Sequence, residues 1–170
     1  FTAVGTYPVV LTVTDAAGNT STCNATVTVT DVNPPVAVCQ NITIQLDASG
    51  NASIVAADID GGSTDNGTIV SMVASPTAFD CSALGTNNVT LTVTDDGGNT
   101  DDCVAVVTVV DNIAPTATCQ DITIQLNAGG TASLTAAQIV GGSTDNCTVT
   151  SLSASQTNFD CTDLGVNTVT

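Results

Sequence analysis

Every acidic residue in this chain is an aspartate, sixteen of them, with no lysine, arginine, histidine or glutamate beside them, so the formal charge is −16. Many stand in oxygen-rich clusters with asparagine: Asp31 and Asn33, Asp65 and Asn66, then Asp95, Asp96 and Asn99. Asp111, Asn112, Asp145 and Asn146 repeat the set further along. Carboxylates and amide carbonyls on short side chains, with no imidazole among them, are hard donors that suit Ca2+ better than a transition metal. Asp and Asn are also common turn residues, which fold back onto their own backbone. For any single Asp the turn reading suffices. For whole clusters with no balancing cation in the chain, bound Ca2+ is the better account.

The same composition argues against other chemistry. General acid–base catalysis wants a group titrating near neutrality, and a nucleophilic Ser or Thr wants a base other than Asp. No enzyme is expected. A uniformly negative chain cannot neutralise phosphates, so nucleic acid is excluded, and anionic membrane surfaces are disfavoured. No apolar run is long enough for a transmembrane helix, so no membrane insertion is expected. Seven cysteines without histidine or a CxxC pair read as disulfides in an oxidising, extracellular setting rather than as zinc ligands.

The clusters must be positioned by strands. From Val89 to Thr94, apolar and Thr residues alternate with the period of two of a half-buried strand, and Asp95–Asn99 supplies a turn before a second strand from Cys103. Nearly the same words run from Val10 to Cys23. Sliding the chain on itself by about 80 residues makes roughly 60% of positions identical, pairing Leu11 with Leu91, Cys39 with Cys119, Asp65 with Asp145 and Cys81 with Cys161. Pro34, Pro35 and Pro115 interrupt strand pairing between copies. The segments are therefore 1–33, the last strands of one repeat; 34–112, a complete repeat; and 113–170, a third lacking its final hairpin. Phe1 opens in mid-pattern, so the chain reads as a window from a longer protein.

Within the complete repeat, a first strand kinked near Gln40 precedes a second over Ala52 to Ile59. A third covers Thr68 to Ala74, a short one Thr77 to Cys81, and a closing hairpin Val89 to Thr94 with Cys103 to Val110. Six or seven short strands in about 80 residues predict an all-β chain of tandem immunoglobulin-like β-sandwich domains. The combination of CQ-x-ITIQL, GGSTDN, FDC-x-x-LG and VTLTVTD-x-x-GNT with the closing strand before Pro resembles hyalin-type repeats and related bacterial Ig-like tandem repeats. That resemblance implies large secreted, surface-associated proteins with an adhesive or structural role. Gly67 departs from the pattern, since Cys147 occupies that place in the next copy.

In such a sandwich the first and last strands run parallel, which would bring Cys39 and Cys103 to one pole as a disulfide. Cys147–Cys161 is the second expected pair. Cys81 is then a buried free thiol or an inter-chain crosslink, and Cys23 and Cys119 are expected to pair with cysteines beyond this stretch. The same topology should gather the clusters of the first paragraph, as Ca2+ ligands, where one repeat meets the next. Partners are then neighbouring repeats and identical chains packed laterally or end to end. The expected role is a segment of an extracellular stalk, fibre or filament. The alternative is a cell-surface adhesin module for a glycan or host protein, but that would want an aromatic platform, and there is one Tyr and no Trp.

Overall fold

The computed structural model describes residues 4–170, so the first three residues of the 1–33 segment lie outside it. The described residues are mostly β. Its elements, in order, are β1 (Gly5–Thr14), β2 (Thr20–Val29), β3 (Ile42–Gln45), β4 (Asn51–Ser53), α1 (Ala56–Ile59), β5 (Ile69–Ser75), β6 (Ala78–Asp80), β7 (Gly85–Asp95), β8 (Thr100–Val110), β9 (Thr131–Ser133), α2 (Ala136–Ile139) and β10 (Asn158–Asp160). They divide into two compact units. The first holds the chain up to Ile44 with Ala52–Val110, the second Gln45–Asn51 with Asp111–Thr170.

The first unit carries a four-stranded sheet in the order β3-β8-β7-β5, and separate two-stranded pairings β1-β2 and β4-β6. Thr and Val crowd these strands because branched side chains fit a pleated surface. In β7 the alternation is sharp: Val89, Leu91 and Val93 are buried while the threonines between them are not. On β8 it is Ala105, Val107 and Val109 that turn inward, with Ile54, Ile59 and Phe79 completing the unit's buried apolar set. The β7–β8 turn closes because Asn99 donates to the Asp95 carboxylate from its backbone (2.7 Å) and side chain (2.8 Å), while Gly98 takes a left-handed φ of +86°. The first strand is not continuous through Gln40. Val36 and Cys39 make isolated bridges to Thr64 and Asp60 before regular pairing starts at β3.

One expectation needs correcting here. The second strand does not run from Ala52 to Ile59; only β4 is extended, and Ala56–Ile59 winds into a single helical turn. Alanine favours helix, and the Asp58 carboxylate reaches back to accept from Val55 N at 2.7 Å, satisfying a donor exposed at the start of the turn. The turn drops Ile59 into the core, fully buried.

Cysteine pairing is part expected and part not. Cys39 and Cys103 form a disulfide with their Cα atoms 5.7 Å apart. Cys147 is also disulfide-bonded, but Cys161 is an exposed free thiol, so the Cys147–Cys161 pair is not formed. The Cys161 sulfur instead faces the Asn127–Thr131 turn, 3.7 Å from the Gly130 carbonyl oxygen. Cys81, expected as a free thiol or an inter-chain link, is disulfide-bonded. Two disulfides fit an oxidising, extracellular compartment. Among the described residues no helix is long and apolar enough to cross a membrane.

Candidate metal centre

Three loops of the first unit converge on one cluster of carboxylates. The connector after β2 supplies Asp31, the Gly61–Gly67 loop supplies Asp65, and the β7–β8 turn supplies Asp96. One carboxylate oxygen from each lies within 4.8 Å of the other two. Oxygens bound to one Ca2+ at 2.3–2.6 Å can be at most about twice that distance apart, so this spacing admits a single shared ion. Among the described residues it is the one group of three such side chains.

Local hydrogen bonds hold each carboxylate in place. Asp31 Oδ1 accepts from Asn33 N at 2.9 Å, a turn leading into Pro34, and its Oδ2 accepts from the Asn66 side-chain amide at 2.9 Å. Asp65 Oδ2 accepts from Gly67 N at 2.7 Å. Asp96 N donates to Thr68 O at 2.9 Å, which pins the hairpin turn against the loop. Asn99 then ties the turn to the connector, donating from Nδ2 to Asp31 O (3.2 Å) and Asn33 O (3.4 Å) as well as to Asp95. Gly97 is obligatory in this clasp. A Cβ there would sit 2.6 Å from Asp31 O.

Two features suit the cluster to a cation. Asp65 Oδ1 and Asp96 Oδ1 are buried and accept no hydrogen bond, an expensive condition for a carboxylate oxygen. Gly67 leaves a space among the acids that a methyl group would fill. A Cβ on Gly67 would lie 3.0 Å from Asp96 Oδ1, 3.1 Å from Asp31 Oδ2 and 3.2 Å from Asp65 Oδ2. Two unit charges about 5 Å apart repel by roughly 3 kcal/mol at the effective dielectric of a protein surface, and this chain has no basic side chain to offset it. A divalent cation would.

Of the residues named from sequence, Asp31, Asp65 and Asp96 come together, with Asn66 as a donor to Asp31 and Asn99 and Asn33 as parts of the clasp. Asp95 does not join them. It is 1% exposed, and both its oxygens are engaged by Asn99 within its own turn. Burial pushes the Asp95 pKa up, but the Asn99 side chain and the backbone amides of Asn99, Gly97 and Gly98 outweigh it and hold it below the ordinary value. Gly67 is the contributor that sequence reasoning missed; the signal was present as the odd Gly where the next copy has Cys.

In the second unit the corresponding residues repeat several of these contacts, and Asp111 Oδ1 accepts from Ile113 N at 3.0 Å as Asp31 does from Asn33 N. Asn146 Nδ2 donates to Asp111 Oδ1 and to Asp47 O, each at 3.2 Å. Asp145 Oδ2 accepts from Cys147 N at 3.3 Å, and its Oδ1 is buried without a hydrogen bond. Asn112 turns aside to donate to Gln45 Oε1 at 3.2 Å.

Set against models of protein families and against curated proteins, the chain matches none of them.

Proposed function

We propose that this chain is a structural segment of an extracellular stalk, fibre or filament, built of tandem immunoglobulin-like repeats and stiffened by disulfides and by Ca2+. The observation that carries the reading is the convergence of Asp31, Asp65 and Asp96 from three separate loops, around a gap kept open by Gly67. An ion held there fastens the connector that follows β2 to two loops of the next repeat, so a flexible joint becomes a stiff one. Ca2+ is favoured over a softer metal because the donors are carboxylates. The disulfides add restraint of the kind extracellular domains of this size rely on. The scarcity of aromatic side chains and the near copying of loops between repeats favour a spacer over a ligand-reading adhesin.

The test is calorimetric titration of the 170-residue chain with Ca2+, together with thermal melts in Ca2+ and in EGTA. At an extracellular-type Kd of about 10−4 M and about 2 mM Ca2+, binding stabilises the fold by roughly 2 kcal/mol. The double substitution Asp65→Asn, Asp96→Asn should remove both the heat and the melting shift. Melting that is the same with and without chelator, with no binding heat, overturns the metal reading.

A further inference from the structure

Among the asparagines of the chain only Asn66 precedes a glycine, and the pair Asn66–Gly67 closes the loop that supplies Asp65. In an Asn-Gly pair the glycine nitrogen can attack the side-chain amide before it, because no Cβ shields that nitrogen and the glycine backbone turns freely. Both residues are exposed to water. The corresponding pair in the second unit has neither property. Cys147 places a side chain beside the nitrogen and is disulfide-bonded, and both Asn146 and Cys147 are half-buried.

The pair is tied at both ends to the acidic cluster. Asn66 Nδ2 donates to Asp31 Oδ2 at 2.9 Å, and Gly67 N donates to Asp65 Oδ2 at 2.7 Å. The first tie depends on the amide, since an ionised carboxylate has no hydrogen to give. If the amide became an acid in place, an oxygen would stand 2.9 Å from Asp31 Oδ2. Two oxygens that close can share one Ca2+. Without a cation they add a fourth negative charge to a group of three.

We propose that Asn66 is a site of non-enzymatic modification, losing its amide through a cyclic imide with Gly67, and that the resulting fourth carboxylate makes the loop depend on a divalent cation. Gly67 N attacks Asn66 Cγ and gives its proton to water. The Cγ–Nδ2 bond breaks, and the side-chain nitrogen leaves as ammonia. Water then adds across one of the two imide C–N bonds. Opening at Cγ leaves an ordinary aspartate at position 66; opening at the main-chain carbonyl leaves an isoaspartate, with one more methylene in the backbone. One water enters, one ammonia leaves, and nothing is oxidised or reduced. The loss of the amide stands apart from the metal reading, whereas the change in cation dependence rests on it.

The test incubates the intact 170-residue chain in mildly alkaline, metal-free buffer made with oxygen-18 water, followed by peptic digestion and mass spectrometry, since trypsin finds no basic residue to cut at. The peptide holding position 66 should gain about 3 Da, one heavy oxygen in place of the amide nitrogen, while the peptide holding Asn146 does not. Hydroxylamine, which opens the imide, should cleave the chain between Asn66 and Gly67, and Gly67→Ala should suppress both signals. Asn66→Asp makes the ordinary product directly. It should bind Ca2+ about tenfold more tightly than the parent by calorimetry, and melt below the parent in EGTA but not in saturating Ca2+. An unchanged mass at position 66, in a time that suffices for the urea-unfolded chain to react, overturns the proposal by showing that the fold protects the amide. A gain as fast in Gly67→Ala as in the parent overturns the imide route. Equal Ca2+ affinity in the parent and Asn66→Asp overturns the fourth carboxylate's role, whereas no binding by either chain is the failure of the metal reading itself.

Discussion

Two loops with the same six opening residues, GGSTDN, end differently: Gly61–Gly67 closes on a glycine, and residues 141–147 on a cysteine. In the first, the missing Cβ leaves a gap bounded by three carboxylates. In the second, Cys147 is committed to a disulfide, and Asn146 donates to Asp111. The loop backbone is one design, since Asp65 and Asp145 each accept a hydrogen bond from the backbone N two residues on. What differs is how the seventh residue uses the space in front of that turn. A side chain of no size leaves room for an ion, and a sulfur takes a covalent link instead.

The comparison can be broken most forcefully at Cys147. Cys147→Gly makes the second loop's sequence match the first but removes a disulfide, and a loss of about 2–5 kcal/mol in unfolding free energy is expected. Denaturant melts of the parent and the variant, both in chelator, measure the effect. A smaller effect is expected from Gly67→Ala. Its methyl group would crowd three carboxylate oxygens at 3.0–3.2 Å, and a loss of about tenfold or more in Ca2+ affinity, roughly 1.4 kcal/mol, should appear by calorimetry. The melting temperature in chelator should scarcely change, because Gly67 does not hold a left-handed backbone. An unchanged affinity would mean that the space at Gly67 does not matter to the ion.

The smallest effect concerns the turn that presents Asp96. The Asp95 pKa is held below its ordinary value of 3.8 in the fold, so its contribution to stability is fully present above that pH and is lost as pH falls through the lower folded value. Asp95→Asn should therefore be less stable than the parent at pH 6 in metal-free buffer. The difference should narrow below about pH 4, as read by denaturant melts across the range. A gap that widens in acid would contradict the assignment.

Adjacent Asp95 and Asp96 show how much of the site was legible in the residues. The alternation of Val89, Leu91 and Val93 continues to position 95, so the inward parity of β7 already sends Asp95 to the core side and Asp96 to the other. Counting by twos would have separated the member of the acidic cluster from the turn residue. No such count reveals that Asp31 and Asp65 come within reach of Asp96, because they lie on different loops and their meeting depends on the clasp of Asn99 and on Asp96 N reaching Thr68 O. The helical turn at Ala56–Ile59 was hidden for a related reason. Four residues are too few for periodicity to separate helix from strand, and the Asp58 hydrogen bond that settles the matter is visible only once the chain is folded.

By itself the sequence determined what is local: the strand alternation, the Asp–Gly–Asn turns, the repeat, and an acidity with no internal counter-charge, all set by neighbouring residues in the chain. The Cys39–Cys103 disulfide was also expected from the sequence, and it is formed. Only the tertiary structure decided that Cys161 stays free while Cys81 and Cys147 are bonded, that three particular aspartates converge, and that Gly67 keeps the space between them. Those outcomes depend on distances between residues remote in the chain, which spacing does not encode.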